Sequence, residues 1–336
     1  MQVRPVDIHD DEQMREFHGI GWRGEMEDGR PWNAFWTYDE MAAMFRQPTP
    51  GQLQEAYGIF DDDGRMVGGG VLFGGLEDNL DKLIVVPIVD PEHRCRGYGG
   101  ALLEALVDRA RELGRTRILS GTSIPFEERE TSPWLRFAAD HGFGPDVTEV
   151  VRMLPLPLPE GLLDEIEADV SAHSKGYEVH VFDDGVPDEL LPSYCHLVNQ
   201  LVVDAPTGET DWEPETLTPD AVRHDVERDR SVGRTVLRAL AVKDGEAVAH
   251  SDMLLRPSGT RAMQWATLVR RDHRGHRLGA AVKVANLRRL QEARPDITDV
   301  VTQNAEVNEQ MIGINERLGF RATALVPEFV RVLPAG

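Results

Sequence analysis

The chain has 336 residues, 41% hydrophobic and 28% charged, proportions of a globular protein with room for two domains of ordinary size. Its formal net charge of −22 argues against nucleic acid as a partner, since that binding needs Lys and Arg on phosphates, and favours amine-bearing partners. No stretch approaches the roughly 18 apolar residues of a membrane span, and no apolar signal region opens the chain, so a cytoplasmic protein is expected. Cys95 and Cys195 are too few and too far apart for a disulfide framework or a zinc site, and no metal is expected. Four of the 36 basic residues are lysine (Lys82, Lys175, Lys243 and Lys283), an arginine bias that suggests a bacterial source.

Residues 2–8 read as a strand and 10–12 as an acidic helix start. Trp22, Trp32, Phe35, Trp36 and Tyr38 come next within 17 residues. Their density suits either an apolar or cationic acceptor pocket or packing at a domain interface. Segments 56–60 and 66–73 flank Asp61-Asp62-Asp63-Gly64 as a hairpin. The apolar run 83–89 leads into Arg94-Cys95-Arg96-Gly97-Tyr98-Gly99. A helix then places Leu102, Leu103, Leu106, Val107, Ala110 and Leu113 on one face. A strand at 117–121, a short helix ending in Gly142-Phe143 and a closing strand at 149–154 complete this half. In residues 154–159 every second residue is proline and lacks a donor, so no central strand continues there. A helix at 161–174 bridges to the second half.

The second half repeats this order. A strand at 177–182 and a helix at 187–203 precede an acidic, proline-bearing segment at 204–215. Segments 239–242 and 247–255 flank Lys243-Asp244-Gly245-Glu246. The run 265–269 leads into Arg274-Gly275-His276-Arg277-Leu278-Gly279. The next helix keeps Val282, Leu287, Leu290 and Ala293 on its face, but Lys283 and Asn286 stand where the first half has leucines. Such a polar pair marks either a site or a face left partly open, and Lys283, in the first turns, is the better site candidate. A strand at 299–302, a helix ending in Gly319-Phe320 and a closing strand at 328–333 complete the chain. Strands interleaved with helices predict a mixed α/β sheet in each half, over an N-terminal domain of residues 1–157, a linker with its helix at 158–176, and a C-terminal domain at 177–336.

A turn of small residues between strand and helix brings successive backbone N–H groups together at a helix N-terminus, an anion site suited to a pyrophosphate. Cys95 in the first turn is either a small residue that fits it or a thiol activated there. The two turns, 180 residues apart, with matching approach strands and Gly-Phe helix endings, resemble the GNAT superfamily of acyl-CoA-dependent N-acyltransferases, whose signature is R/Q-x-x-G-x-G/A. The resemblance covers nearly the whole chain, as a tandem protein with the architecture of mycothiol synthase.

The resemblance implies acetyl-CoA in a cleft between splayed fourth and fifth strands of a half. The pantetheine would pair near Ile88 and Val89 or near Leu268 and Val269. The pyrophosphate would rest on Arg94, Cys95, Arg96, Gly97, Tyr98, Gly99 and Gly100, or on Arg274, Gly275, His276, Arg277, Leu278, Gly279 and Ala280. Asn308 matches the family's asparagine before the final helix and joins the cofactor set. The first loop keeps both glycines, Gly97 and Gly99, whereas Arg277 stands at the first glycine's place in the second, so the first half is the expected acetyl-CoA site. The family's tyrosine acid is replaced by Ala138 in one half and Asn315 in the other; Asn315 is the candidate that hydrogen-bonds the thiolate. Trp22, Trp32 and Trp36 lie where the family covers its acceptor.

The oxyanion donor would be the backbone N–H of Val89 or Val269. Glu92, Asp81, Asp252 and Glu306 are candidate bases, and none stands out. The expected activity is direct acetyl transfer from acetyl-CoA to a small-molecule amine, a metabolite or antibiotic, with one half active and the other mainly structural, in a monomer or homodimer. The alternative is an acyl-CoA-binding sensor or scaffold without turnover, which the missing tyrosine favours. Aminoacyl transfer from tRNA is opposed by the charge.

Overall fold

The computed structural model describes residues 1–26, 30–183, 185–206, 208 and 210–334. Of the acidic segment read at 204–215, Thr207 and Glu209 lie outside the described residues. The chain divides into two compact units, the first made of 1–148, 208–210 and 325–336, the second of 149–207 and 211–324.

In chain order the first unit contains β1 (Gln2–Pro5), α1 (Asp11–Met26), α2 (Tyr38–Arg46), β2 (Gln52–Phe60), β3 (Met66–Gly75), β4 (Lys82–Val89), α3 (Tyr98–Glu112), β5 (Arg117–Gly121) and α4 (Pro133–Asp140). The strand β6 (Gly144–Pro155) comes next. The second unit contains α5 (Leu162–His173), β7 (Glu178–Phe182), α6 (Leu191–Asp204), α7 (Pro219–Ser231), β8 (Thr235–Lys243), β9 (Glu246–Leu255), β10 (Arg261–Val269), α8 (Leu278–Ala293), β11 (Asp299–Ala305) and α9 (Glu309–Leu318). The last strand is β12 (Arg321–Val332).

Both hairpins form, β2 with β3 and β8 with β9, each antiparallel. In the first unit α1 and α3 cover opposite faces of β3, where Gly69 and Gly70 make room for them. A Cβ on Gly69 would come within 2.6 Å of the Phe17 ring of α1, and one on Gly70 within 2.8 Å of Leu106 of α3. The predicted face of α3 is buried through Leu102, Leu103, Leu106, Val107 and Ala110. Two helices went unread in the sequence. Thr37 and Glu40 form a reciprocal capping box at the start of α2. Thr218 accepts from the Ala221 N–H at the start of α7, with Pro219 at its first position.

The closing strands are allotted differently from the sequence reading, which gave 149–154 to the first half and 328–333 to the second. Glu149 to Pro155 pair antiparallel with β11 in the second unit. Glu328 to Val332 pair antiparallel with β5 in the first. The strand order is therefore β1-β2-β3-β4-β5-β12 for the first unit and β6-β11-β10-β9-β8-β7 for the second. Both segments are short and apolar, so either fits either edge by pattern alone. Phe329 buries into the first unit's core with Leu102, Leu106 and Ile118. Phe329→Ala should cost about 3–5 kcal/mol and speed hydrogen exchange in β5 and α3 while β10 and β11 keep their protection, as exchange mass spectrometry would record.

Candidate active site

In the second unit the parallel ladder of β10 and β11 holds Arg261 opposite Asp299, Ala262 opposite Val300 and Met263 opposite Val301, and stops there. Both strands continue, to Val269 and Ala305. They part into a cleft of about 800 Å³ lined by residues 263–269 and 301–305, the loop before α8 and the first turn of α9. A β-bulge adds to it. The register of β10 against β9 shifts by one residue between Gln264 and Thr267, which takes Trp265 and Ala266 out of the ladder at the point where both line the cleft. In the first unit β4 and β5 also pair at three places, ending at Ile84 and Leu119, but β4 keeps a constant register against β3 as far as Val89.

The two turns share one backbone conformation. Each has left-handed residues at its second and fourth places: Cys95 (φ 60°) and Gly97 (φ 85°) in one, Gly275 (φ 84°) and Arg277 (φ 57°) in the other. Each loop thus puts one glycine and one strained side chain at the two positions, the latter at a cost of roughly 1–2 kcal/mol. Arg277 does not close its loop, because its guanidinium pairs with Asp169 of α5. In both loops the first arginine donates through Nε to the last carbonyl of the approach strand, Arg94 to Val89 at 3.3 Å and Arg274 to Val269 at 3.2 Å.

Beyond that bond the arginines differ. Arg94 donates to the Gly24 carbonyl at 3.3 Å and lies 5.2 Å from the ring of Trp134 in the first turn of α4. The cation comes from the turn after β4 and the ring from the helix after β5. At Trp134's place the second unit has Met311, which lines the open cleft. Arg274 instead donates to Asp204 at 2.6 Å, and Arg271 donates to the same carboxylate at 2.8 Å.

Of the predicted cofactor set, Leu268, Val269, Arg274, Gly275, Arg277, Leu278, Gly279 and Asn308 line this cleft. Asn308 also caps α9, accepting from the Met311 N–H at 3.1 Å. His276 faces the carbonyl of His173 at 3.2 Å, and Ala280 is buried among α5 and α8 side chains. In the first loop Cys95, Arg96 and Gly97 are exposed, the guanidinium of Arg96 donates to the Glu92 carbonyl at 3.0 Å, and Tyr98 packs 6.5 Å from the His93 ring. A Cβ on Gly100 would come within 2.7 Å of His141. Ile88 packs with the α1 and α2 cluster.

Asn315 is not a cleft residue as expected. It is fully buried, and both ends of its amide are engaged: Oδ1 accepts from Lys283 Nζ at 3.0 Å and Nδ2 donates to Asn304 Oδ1 at 3.0 Å. Lys283 and Asn304, which it joins, do line the cleft. The tryptophans belong to the first unit. His18 donates to the Trp36 carbonyl at 2.8 Å and has the rings of Phe35, Tyr38 and Trp22 about it at 5.7, 6.1 and 6.3 Å. Phe35, Trp36 and Tyr38 pack on the α1 and α2 core of the first unit itself, whereas Trp22 is 41% exposed.

The named bases fare poorly. Asp81 is paired with Lys82 at 2.7 Å and Arg117 at 3.6 Å. Asp252 is sealed against Tyr194 and His250, which with Arg238 hold it ionised despite burial. Glu92 and Glu306 are exposed. Three other carboxylates do line the cleft, Asp204 of α6, Glu309 of α9 and Glu149 of β6, and Asp204 is held by Arg271 and Arg274. Burial raises the pKa of Glu149 above the usual carboxylate range. No sequence pattern marked Glu149, because its presence here depends on the pairing of β6 with β11. Cys195 is buried, and its thiol is pushed up to about 11.

Residues 20–129 match the acetyltransferase (GNAT) family model. Among solved structures the chain is similar to a tandem GNAT protein from the clavulanic acid biosynthesis pathway, at 25% identity and TM-score 0.77, over 100% of this chain and 98% of that one. It is also similar to a GCN5-related N-acetyltransferase from Sphaerobacter thermophilus (17% identity, TM-score 0.64, 100% and 96% covered) and to Saccharomyces cerevisiae N-myristoyltransferase with bound myristoyl-CoA (10%, 0.60, 99% and 79%). No curated protein sequence matches it. Residues 20–129 are thus a GNAT acetyltransferase domain, and the chain has the fold of a tandem GNAT protein over its whole length, which supports an acyltransferase of a fold that uses acyl-CoA. No helix among the described residues is long and apolar enough to cross a membrane.

Lys283 has a consequence for stability that fixes its protonation. Burial lowers its pKa from 10.5 to about 7. The unfolded chain takes up this proton below about 10.5 and the folded chain only below about 7, so the penalty is full below pH 7 and disappears as pH rises toward 10.5. Wild-type stability should gain up to roughly 1.4 kcal/mol per pH unit across that window from this group. Denaturant unfolding at pH 7 and 10 should show the gain in wild type and its loss in Lys283→Met.

Proposed function

We propose that the chain is an acetyl-CoA-dependent N-acetyltransferase acting on a small-molecule amine, with the reaction in the second unit and a mainly structural first unit. The observation that carries this reading is the bulged, parted β10, whose cleft combines an anion loop, a carboxylate and a buried amine. Its volume of about 800 Å³ falls in the range of small-ligand sites.

The residues present suit the co-substrate, which supplies an activated acyl thioester. Main-chain N–H groups of residues 275–280, at the N-terminus of the 16-residue α8, would receive the pyrophosphate. Arg271 and Arg274 stand beside them, now neutralised by Asp204, so a phosphate would compete with that carboxylate. The parted edge of β10 at Leu268 and Val269 would pair with the pantetheine amides. Trp265 and Ala266, freed by the bulge, offer backbone N–H groups to the oxyanion, a better placed pair than Val269, which sits opposite Ala249 in the ladder. Glu149 takes the proton from the attacking amine, and with Asp204 and Glu309, also on the cleft wall, it favours a cationic acceptor.

The assignment to the second unit reverses the expectation drawn from loop glycines alone. Gly99 and Gly279 hold equal places in the two loops, with ordinary φ. Calorimetric titration of acetyl-CoA should show binding kept in Gly99→Trp and abolished in Gly279→Trp; the opposite pair of results would return the cofactor to the first unit. Thiol release with a panel of amines separates an enzyme from a silent acyl-CoA binder, which would release none with any of them.

A further inference from the structure

Acyl transfer from a thioester expels a thiolate, and the loop amides, the arginines and the base Glu149 leave it without an acid to meet it. Resting on the second-unit reading, we propose that Lys283 is the catalytic residue that protonates the departing CoA thiolate, and that Asn315 is the positioning residue that aims it.

Among the described residues Lys283 is the largest of the fully buried side chains, only 1% exposed, and it lines the cleft. Among the described residues it has no carboxylate at ion-pair distance. Its Nζ donates to Asn315 Oδ1 at 3.0 Å and stands 5.7 Å from the Phe320 ring. Burying an amine without a counter-charge is costly, and the fold does not require it. At the matching places of the first unit stand Leu103 and Ala138, 2% and 7% exposed, in an apolar core. One chain thus packs the same two helices with a leucine–alanine pair in one unit and a lysine–asparagine pair in the other. The second pair is joined by a hydrogen bond and reaches a cleft.

The amide orientation of Asn315 is fixed from behind. Asn304 Oδ1 accepts from Asn315 Nδ2 at 3.0 Å and from Arg152 Nε at 3.2 Å, so Asn315 must turn its oxygen to Lys283. When protonated, Nζ gives one N–H to that oxygen and keeps two for the cleft. The charged groups on the cleft wall are Glu149 of β6, Asp204 of α6, Arg274 and Arg277 of the loop, and Glu309 of α9. Behind Asn304 lie Arg152 and, 3.8 Å from it, Glu316. Of the carboxylates of α5, Asp164, Glu167 and Asp169 are engaged with Arg277, Arg288 and Arg317, and Glu165 is exposed. The buried charged and titratable groups of β8 and β9, Arg238, His250 and Asp252, gather on Tyr194 of α6. His180 of β7 faces Glu178.

In the step proposed, the amine nitrogen bonds to the acyl carbon, the C–S bond breaks with its electron pair on sulfur, and one N–H proton of Lys283 passes to that sulfur. The amine's proton leaves on Glu149, and exchange with solvent returns one to Lys283, so amide and free thiol are the only net products. With a pKa of about 7, the ammonium is populated near neutrality and is more acidic than an ordinary thiol, so transfer to the thiolate runs downhill.

The test uses the full-length protein, acetyl-CoA and whichever amine of the panel gives the fastest thiol release. Lys283→Met should lower kcat by about 10²–10³-fold, leave acetyl-CoA binding within a few-fold of wild type, and remove the alkaline limb of the pH–kcat profile. Glu149→Gln should remove the acidic limb instead. Asn315→Asp, which sets a carboxylate against the amine, should move the alkaline limb to higher pH, a displacement that a merely structural role would not produce. Wild-type kcat and an intact alkaline limb in Lys283→Met would overturn the proposal. So would mass-spectrometric recovery of an acetyl group on Lys283 during turnover, which would make it a nucleophile. If Gly279→Trp still binds acetyl-CoA, the cleft assignment itself has failed, independently of the lysine.

Discussion

The second unit depends on where β10 lets go of β11. Three paired residues hold the strands together, ending at Met263 and Val301, and beyond them the backbone of each strand has lost its neighbour. Unpaired backbone in a protein interior must find partners or water, so parted strands make a natural seat for a ligand that carries its own amides. The bulge at Trp265 and Ala266 compounds this by loosening β10 from β9 on its other side. A cleft forms, lined by the parted ends of both strands, the loop before α8 and the start of α9.

The two units show what such a frame does with and without chemistry. Both have a parted strand pair, a turn with two left-handed residues and a helix behind it. In the first unit, Arg94 lies against the Trp134 ring, β4 stays in register, and leucine and alanine fill the matching helix positions. In the second, the corresponding arginine turns to Asp204, the strand is bulged, and those positions hold Lys283 and Asn315. Polar groups that destabilise the core are concentrated in the unit with the open cleft, where strain and desolvation are expected to serve a reaction.

The frame was legible in the sequence because it is written in local signals. Apolar runs gave the strands, the six-residue turns gave the helix starts, and the leucines of α3 gave its buried face. The same periodicity exposed Lys283 as an intruder on an apolar face, although not what it touches. The exchange of closing strands was not legible, since residues 149–154 and 328–333 carry equivalent patterns and nothing local distinguishes the sheet edges. Glu149 was missed for that reason: it enters the cleft only by way of the exchange. Counting loop glycines pointed to the first unit, but Cys95 and Arg277 both accept the left-handed conformation, so the glycine count does not measure whether a loop can form. Asn315 was placed on the right helix, and its burial behind Lys283 could be known only from the packing.

Hydrogen exchange with and without acetyl-CoA addresses the central claim most directly. Coenzyme should slow exchange of the amides at 274–280 and along the outer half of β10, while those at 94–100 and in β4 stay unchanged. Protection confined to 94–100 and β4 would contradict the account.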